Sequence, residues 1–185
     1  MGSKLYLSVF LLAIIAGCVA NKESRDTKEV SMQNISISAE AFQDGGFIPD
    51  EYTCEGEDLS PALAWKGIPP ESESLALIMD DPDCPGKTFV HWVIFNIPAK
   101  VQKLAKGMPR SETISDGSIQ GMTDFGRAGY GGPCPPPGKP HRYYFKIYAL
   151  DQKLSLGPGA SKKQVEDAMK GHILAKGELI GKYGR

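Results

Sequence analysis

The sequence has no apolar run long enough to cross a membrane and no excess of charge of either sign. Its long apolar segment, residues 5–16, is shorter than the roughly 20 residues that a transmembrane helix needs. The 185-residue chain has 21 basic and 22 acidic side chains and a formal net charge of −1. It therefore lacks the positive field that attracts nucleic acid, and we expect no nucleic-acid partner.

Sequence motifs for catalysis are also missing. The chain has no Gly-x-Ser-x-Gly elbow around a nucleophilic serine, no His-Glu-x-x-His motif, no phosphate loop and no dinucleotide-binding fingerprint. These absences argue against the common hydrolases, zinc proteases and nucleotide-dependent enzymes. We therefore predict no catalytic residues, no cofactor and no metal-binding residues.

The N-terminal segment is typical of an exported bacterial protein. Lys4 precedes the apolar residues 5–16, and the segment ends with Ile15-Ala16-Gly17-Cys18, which resembles the lipobox of bacterial lipoproteins. By that resemblance, residues 1–18 are a lipoprotein signal, and lipidation of Cys18 anchors the chain to a membrane surface. An ordinary signal peptide, cleaved after a small residue, is the alternative.

The remaining residues divide into a tether and a domain. Residues 19–31 are polar and carry charges of both signs, as is typical of a flexible tether. Residues 32–185 are long enough for one domain with its own core. Val19, directly after Cys18, is not acidic, which favours the outer membrane of the bacterial cell envelope as the location of the anchor.

Cysteine usage fits an exported protein, because an oxidising compartment permits disulfides. Besides Cys18, the chain has Cys54, Cys84 and Cys134. Cys54 and Cys134 both lie in Gly/Pro-rich segments and are the favoured pair, although spacing alone leaves the connectivity open. No Cys-x-x-Cys spacing indicates a zinc site.

Strand patterns dominate the domain. Apolar residues alternate with polar or second-face residues at 35–39 and 75–80, as is typical of strands. Residues 88–97 and 143–150 are almost entirely apolar or aromatic, which predicts strands covered on both faces.

One segment has a helical pattern. Ser161 and Gln164 form a capping box, an apolar stripe follows, and Gly171 suits the residue after the helix. Residues 174–183 are predicted to be a short strand or an irregular packing segment. The whole pattern predicts a mainly β fold: an antiparallel β-sandwich with a C-terminal helix.

Two polar segments lie at strand ends and indicate a site. The first, residues 80–85, reads Asp-Asp-Pro-Asp-Cys-Pro and precedes His91, and the second is Pro140-His141-Arg142-Tyr143. With a period of two, His141 and Tyr143 share one strand face, and His91 shares a face with Val93 and Phe95. Between the two segments, residues 117–140 are rich in Gly and Pro, which favours a functional loop.

These segments carry a resemblance to a known family. Ser60-Pro61-Ala62-Leu63-Ala64-Trp65, the Asp81-Pro82-Asp83-x-Pro85 turn, His91-Trp92-Val93 with Asn96-Ile97-Pro98, and Gly138-Lys139-Pro140-His141-Arg142-Tyr143 resemble signatures of the phosphatidylethanolamine-binding protein family, which includes Raf kinase inhibitor-like proteins. The resemblance covers residues 35–183. It implies a large antiparallel sheet packed on a smaller one, with a shallow anion pocket at one end. By position, the pocket residues are Asp81, Asp83, His91, Gly131, Gly132, His141 and Tyr143.

The chemistry of these residue types suits an anion. Glycine N–H groups can approach a phosphate or carboxylate closely, and histidine and tyrosine donate hydrogen bonds to it. Asp81 or Asp83 can accept from one imidazole and fix its tautomer. We therefore expect a non-catalytic module that holds a small phosphate- or carboxylate-bearing ligand, for which a phospholipid headgroup is one source.

Two other functions remain open. The first is inhibition or modulation of a protease or kinase partner through the Pro-rich loop, which the resemblance makes plausible. The second is a metal-assisted enzyme built on His91, His141 and an aspartate.

Overall fold

The structure, a computed structural model, describes residues 1–2 and 33–185. The lipidation site Cys18 and the predicted tether (19–31) lie outside the described residues. So does the predicted signal (1–18), except for residues 1–2. No helix within the described residues has the length and apolar character needed to span a bilayer.

The described part of the chain consists mainly of strands. In chain order the elements are β1 (Gln33–Asn34), β2 (Ser36–Ala39), β3 (Leu63–Lys66), β4 (Ser74–Asp81), β5 (Phe89–Pro98), β6 (Lys103–Leu104), β7 (Ile119–Gln120), β8 (His141–Leu150), α1 (Lys162–Met169) and β9 (Ile173–Tyr183).

The strands form a six-stranded and a three-stranded sheet. The large sheet has the order β1-β9-β8-β4-β5-β7, and the small sheet has the order β2-β3-β6. All neighbouring strands are antiparallel except β1 and β9, which are parallel. The prediction of a mainly β, antiparallel sandwich is thus confirmed, and the one α-helix found in residues 33–185 comes just before the last strand.

The large sheet is buried on both faces. One face contributes Leu77, Trp92 and Phe145 to a core that also includes Trp65 of the small sheet. The opposite face contributes Ile78, Val93 and Phe95 to a second core under α1. Because β4 lies centrally in this sheet, all eight of its residues are buried, which explains its nearly unbroken apolar sequence.

Helix α1 begins and ends as its sequence predicts. The Ser161 hydroxyl accepts from the Gln164 N–H, and the Gln164 side chain accepts from the Ser161 N–H. Gly171, just after the helix, has φ of +81°, a left-handed conformation that favours glycine. Val165 and Met169 bury the apolar stripe against the sheet.

The prediction for residues 174–183 was too weak, because this segment belongs to β9, an eleven-residue strand. β9 pairs with β8 from His141↔Tyr183 to Leu150↔Ile173. Glycines conceal the apolar alternation of β9. A Cβ at Gly177 would lie 2.1 Å from the Ile35 carbonyl oxygen, and one at Gly181 would lie 2.5 Å from Ile48 Cγ1. The glycines are required by close packing, although they lower the strand signal in the sequence.

Candidate functional site

A cavity of about 100 Å³ lies where β4, β5 and β8 meet the Gly/Pro-rich loop. Its polar lining comes from four predicted site residues, Asp81, His91, His141 and Tyr143. The rest of the lining is aromatic, proline or sulfur-bearing: Phe89, Phe125, Pro135, Pro136, Cys84 and Cys134. The site therefore combines a few polar groups with mostly apolar walls, as small-ligand sites usually do.

His91 reaches the cavity because β5 contains a bulge. Met79 of β4 pairs with Trp92, but the next residue, Asp80, pairs with Val90, so His91 is an extra residue in β5. Strict alternation placed His91 on the face of Val93 and Phe95, which pack in the core under α1. That prediction was wrong, since the bulge turns the ring to the opposite side of the sheet.

The imidazole of His91 is buried and held by backbone. Its Nδ1 donates to the Gly131 carbonyl oxygen at 2.7 Å, which leaves Nε2 as the nitrogen for a ligand. The ring packs edge-on against Tyr143, with centroids 5.1 Å apart, and against Phe125. Burial lowers the pKa of His91, because the charged form loses hydration. The ring is therefore neutral at pH 7, with an unprotonated Nε2.

His141 is oriented by a carboxylate. Its Nδ1 donates to Asp81 Oδ2 at 2.7 Å, and Asp81 Oδ1 accepts from the Asp83 backbone N–H at 2.8 Å. Both oxygens of Asp81 are thus used in holding the ring and the turn. The predicted role of an aspartate that fixes one imidazole falls to Asp81 in this geometry.

The phenol of Tyr143 is the third polar group facing the cavity. Its side chain is fully buried, and its hydroxyl has no hydrogen-bond partner within the described residues. Burial raises the pKa of Tyr143, and the negative charge of Asp81 raises it further, so the hydroxyl remains a donor at neutral pH. A buried hydroxyl without a partner costs about 1–3 kcal/mol, which an acceptor on a ligand would relieve.

Asp83 does not line this cavity, although it was predicted in the anion pocket. Its carboxylate accepts two hydrogen bonds from the Arg142 guanidinium, at 2.8 and 2.7 Å, and a third from the Arg142 backbone N–H. These contacts with Arg142 lower the pKa of Asp83 to about 2. Asp83 fixes the acidic turn onto β8. Its side chain lines a second, wider groove instead of the cavity.

Gly131 and Gly132 have a different role from the one predicted. The Gly131 N–H donates to the His91 carbonyl oxygen, and the Gly132 N–H donates to Asp58 Oδ1 at 2.6 Å. Neither N–H is therefore available to a ligand. A Cβ at Gly132 would lie 2.4 Å from the Tyr52 carbonyl oxygen, so this glycine is required for close packing of the loop.

Sequence reasoning missed Asp58, which anchors the loop. Besides accepting from Gly132, its carboxylate pairs with Arg110 and Arg127. The φ of Asp58 is +55°, which is uncommon for a non-glycine residue. No local pattern indicates this role, because all of its partners lie more than 50 residues away.

A disulfide joins Cys54 to Cys134 across 80 residues, and Cys84 is a free thiol. Cys134 precedes Pro135 and Pro136, which line the cavity. The disulfide therefore ties one wall of the cavity to the segment around Cys54. Burial raises the pKa of the Cys84 thiol, so it is a weak nucleophile at neutral pH.

A wider groove of about 800 Å³ adjoins the cavity and shares Pro136 and His141 with it. Its other lining residues are Phe47, Asp83, Pro137, Lys139, Pro140, Arg142 and Lys182. Sequence reasoning had not predicted this groove. Within residues 1–2 and 33–185, no group of three or more His, Cys, Asp or Glu side chains is arranged to hold a metal ion.

Comparison with known sequences finds one matching family and several similar proteins. The profile of the family described as phosphatidylethanolamine-binding protein matches residues 38–184. The UPF0098 protein of Methanothermobacter thermautotrophicus is 53% identical over 151 residues, which are 82% of this chain and 99% of that protein. The UPF0098 protein of Pyrococcus horikoshii is 44% identical over 178 residues, which are 95% of this chain and 85% of that protein.

Two crystal structures have similar folds. A putative phosphatidylethanolamine-binding protein homologue from Chlamydia trachomatis superposes with a TM-score of 0.75 at 39% identity, over 82% of this chain and 98% of that one. YbcL of E. coli, described as a member of the mammalian family, superposes with a TM-score of 0.76 at 33% identity, over 82% and 99% of the two chains.

Proposed function

The chain belongs to the phosphatidylethanolamine-binding protein family, and from this premise we propose that it is a non-catalytic module that binds a phosphate- or carboxylate-bearing ligand. The cavity of about 100 Å³ is the binding site. It is smaller than the roughly 300–1,000 Å³ of pockets for drug-sized ligands. We therefore assign to it one anionic group of the ligand, and the rest of the ligand lies outside.

One observation carries this proposal: two buried imidazoles line the same cavity, and each is fixed through Nδ1. His91 donates to a backbone carbonyl and His141 to Asp81. Each ring therefore offers Nε2 to the ligand, and Nε2 becomes a charged donor when the ring binds a second proton. The unpartnered hydroxyl of Tyr143 supplies a third donor.

The energies predict weak binding of a bare anion. Hydrogen bonds to charged groups contribute about 1.5–3 kcal/mol each. Three of them give roughly 5–9 kcal/mol, against an association cost of about 4–15 kcal/mol. A ligand that binds well therefore needs further contacts outside the cavity, through the group attached to its phosphate or carboxylate. A phospholipid headgroup and a soluble phosphate ester both satisfy this requirement.

Substitution of Asp81 tests the proposal, with titration calorimetry of sulfate into the full chain. Asp81→Asn removes the carboxylate that orients His141, and we expect sulfate affinity to fall about tenfold or more. The matched control is Asp151→Asn, which removes the carboxylate from an exposed aspartate–histidine pair with His172, away from the cavity. Equal sulfate affinity in the wild type and in Asp81→Asn would reject the proposed site.

A second candidate function is a contact with a protein, such as a protease or kinase. The observation that favours it is an exposed Pro-rich segment, residues 136–140, with fixed ends. The disulfide at Cys134 holds one end, and strand β8 begins at the other. Replacing Pro137 and Pro140, which do not line the cavity, by serine should abolish binding of a protein partner while sulfate binding persists. The reverse result would assign the partner to the cavity.

We also propose that the chain is exported and anchored through a lipid on Cys18 in the bacterial cell envelope. The lipobox-like sequence before Cys18 supports this location. The Cys54–Cys134 disulfide is consistent with it, because such bonds persist in oxidising compartments. Mass spectrometry of the protein from membranes should find an acylated Cys18 as the first residue. An unmodified residue after Cys18 at the N-terminus would instead indicate an ordinary signal peptide.

A further inference from the structure

The groove beside the cavity has an excess of positive charge. Its lining includes the cations Lys139, Arg142 and Lys182 and one anion, Asp83. Asp83 is engaged by Arg142. In the described part of the chain, neither lysine has a carboxylate within ion-pair distance. Two positive charges are therefore left without an internal partner, in a chain whose formal net charge is −1.

The backbone holds two of these cations side by side. Arg142 of β8 and Lys182 of β9 are directly opposite residues in the antiparallel pair. Like charges at such positions repel each other and destabilise the sheet unless a counter-charge is present. Asp83 neutralises one of the two. An anion bound beside Lys182 would neutralise the other.

The groove also has apolar lining residues. Phe47 is 64% exposed and lines the groove together with Pro136, Pro137 and Pro140. Hydrogen bonds from Ile48 N–H to the Lys182 carbonyl oxygen and from Lys182 N–H to the Gly46 carbonyl oxygen fix the segment around Phe47 to β9. Next to Pro136 in the chain, the Pro135 carbonyl oxygen accepts from Arg185 Nε. Hydrogen bonds thus hold the segment around Phe47 and the residue that precedes Pro136.

We propose that this groove is a second anion-binding subsite, and that the ligand is a small molecule with two anionic groups joined by an apolar linker. One anionic group occupies the cavity between His91 and His141. The linker crosses the groove against Phe47, and the second group pairs with Lys139 and Lys182. The shared lining residues His141 and Pro136 make the two sites continuous. This inference rests on the proposed function of the cavity.

The test compares two ligands of equal linker length, 1,6-hexanediol bisphosphate and hexyl monophosphate, by calorimetry of the full chain at low ionic strength. We expect the bisphosphate to bind about tenfold more tightly than the monophosphate. Each of the two lysines adds one ion pair to the second phosphate, and each ion pair near the surface contributes modestly to affinity. The double variant Lys139→Gln/Lys182→Gln should lose this advantage and keep its affinity for the monophosphate. Added salt should reduce the advantage, since exposed charges are screened.

The control variant is Lys66→Gln/Lys103→Gln, which removes the same charge from exposed positions on the small sheet. It should retain the tenfold advantage. An equal loss in both double variants would overturn the inference, because it would indicate a general effect of net charge. Equal binding of the two ligands would overturn the subsite alone. Binding of neither ligand would overturn the proposed function, and the subsite with it.

A membrane surface is the other source of a second negative charge. Sedimentation with vesicles of phosphatidylglycerol, compared with vesicles of phosphatidylcholine, separates the two sources. Binding to the anionic vesicles that depends on Lys139 and Lys182, without any gain from the second phosphate in solution, would overturn the inference. A gain from the second phosphate, with equal binding to both kinds of vesicle, would support it.

Discussion

At the scale of single residues, the two imidazoles of the cavity have different hydrogen-bond partners. His91 donates to a neutral carbonyl oxygen, and burial lowers its pKa. His141 donates instead to the carboxylate of Asp81. An anion between the two rings is thus opposed by an unprotonated Nε2 on His91 unless that ring takes up a proton.

We predict that anion binding takes up a proton at neutral pH. Because the pKa of His91 is lowered, the free protein holds the ring neutral, and a bound anion favours its charged form. Affinity should therefore rise as pH falls from 8 towards 5, by up to about tenfold per pH unit for one proton. Sulfate is the suitable probe, since it does not titrate in this range. Calorimetry in two buffers of different ionisation enthalpy counts the protons, and a His91→Gln variant with an unchanged pH dependence would contradict the assignment.

Gly132 carries a prediction about stability. A Cβ at this position would lie 2.4 Å from the Tyr52 carbonyl oxygen and 2.8 Å from Thr53 Cα, which are backbone atoms. Gly132→Ala should therefore lower the free energy of unfolding by about 1–3 kcal/mol, as overpacking does. Gly157→Ala is the control, because its Cβ would meet nothing within 4 Å. Urea denaturation measures both, and equal midpoints would contradict the close contact.

At the scale of elements, the site depends on a defect in one strand and on a loop that is fastened at several points. The bulge in β5 turns His91 towards the cavity. The loop is held by Asp58, by the carbonyl of Gly131 and by the disulfide at Cys134. Irregular backbone can serve as a precise cavity wall only when such contacts fix it.

The disulfide is expected to contribute to both stability and binding. It closes an 80-residue separation, for which loop entropy gives a stabilisation of about 4 kcal/mol. The double variant Cys54→Ser/Cys134→Ser should lose a large part of this in urea denaturation. Its sulfate affinity should also fall, since Pro135 and Pro136 lose their tether. Cys84→Ser, which removes the free thiol, should preserve stability, and an equal loss there would indicate that packing rather than the cross-link is responsible.

At the scale of the whole molecule, most of the residues that stabilise the sandwich differ from those that line the cavity. Two apolar cores cover the two faces of the large sheet, and the cavity lies at the ends of β4 and β8, where Tyr143 belongs both to its lining and to one core. The stability of the fold therefore does not depend on which ligand the cavity binds. The buried Asp80, which pairs with Lys146 and Lys162 on the α1 side, belongs to the structural part of the molecule.

Ligand binding should be visible as global stabilisation. An anion that binds only the folded chain stabilises it by about 2.7 kcal/mol at a concentration of 100 times Kd. Sulfate also stabilises proteins non-specifically through exclusion from their surface. The informative quantity is therefore the difference between wild type and His141→Gln in the sulfate-dependent shift of thermal unfolding. Identical shifts in the two proteins would indicate that exclusion alone acts and that the cavity binds no anion.

The sequence by itself determined the features that depend on near neighbours along the chain. Alternation with period two predicted β2 and β4, and nearly continuous apolar runs predicted β5 and β8. Ser161 with Gln164 predicted the start of α1, because strand and helix signals are local. The motifs around Asp81, His91 and His141 indicated the family. They also placed both histidines in one predicted site, whose polar lining the structure assigns to Asp81, His91, His141 and Tyr143.

Only the tertiary structure decided how each polar group is used. His91 meets Gly131 across 40 residues and His141 meets Asp81 across 60, so local patterns cannot specify these partners. The bulge at His91, the capture of Asp83 by Arg142 and the use of the Gly132 N–H by Asp58 likewise depend on which segments the fold brings together. The partner of a hydrogen bond or ion pair is set by position in space rather than by distance along the chain.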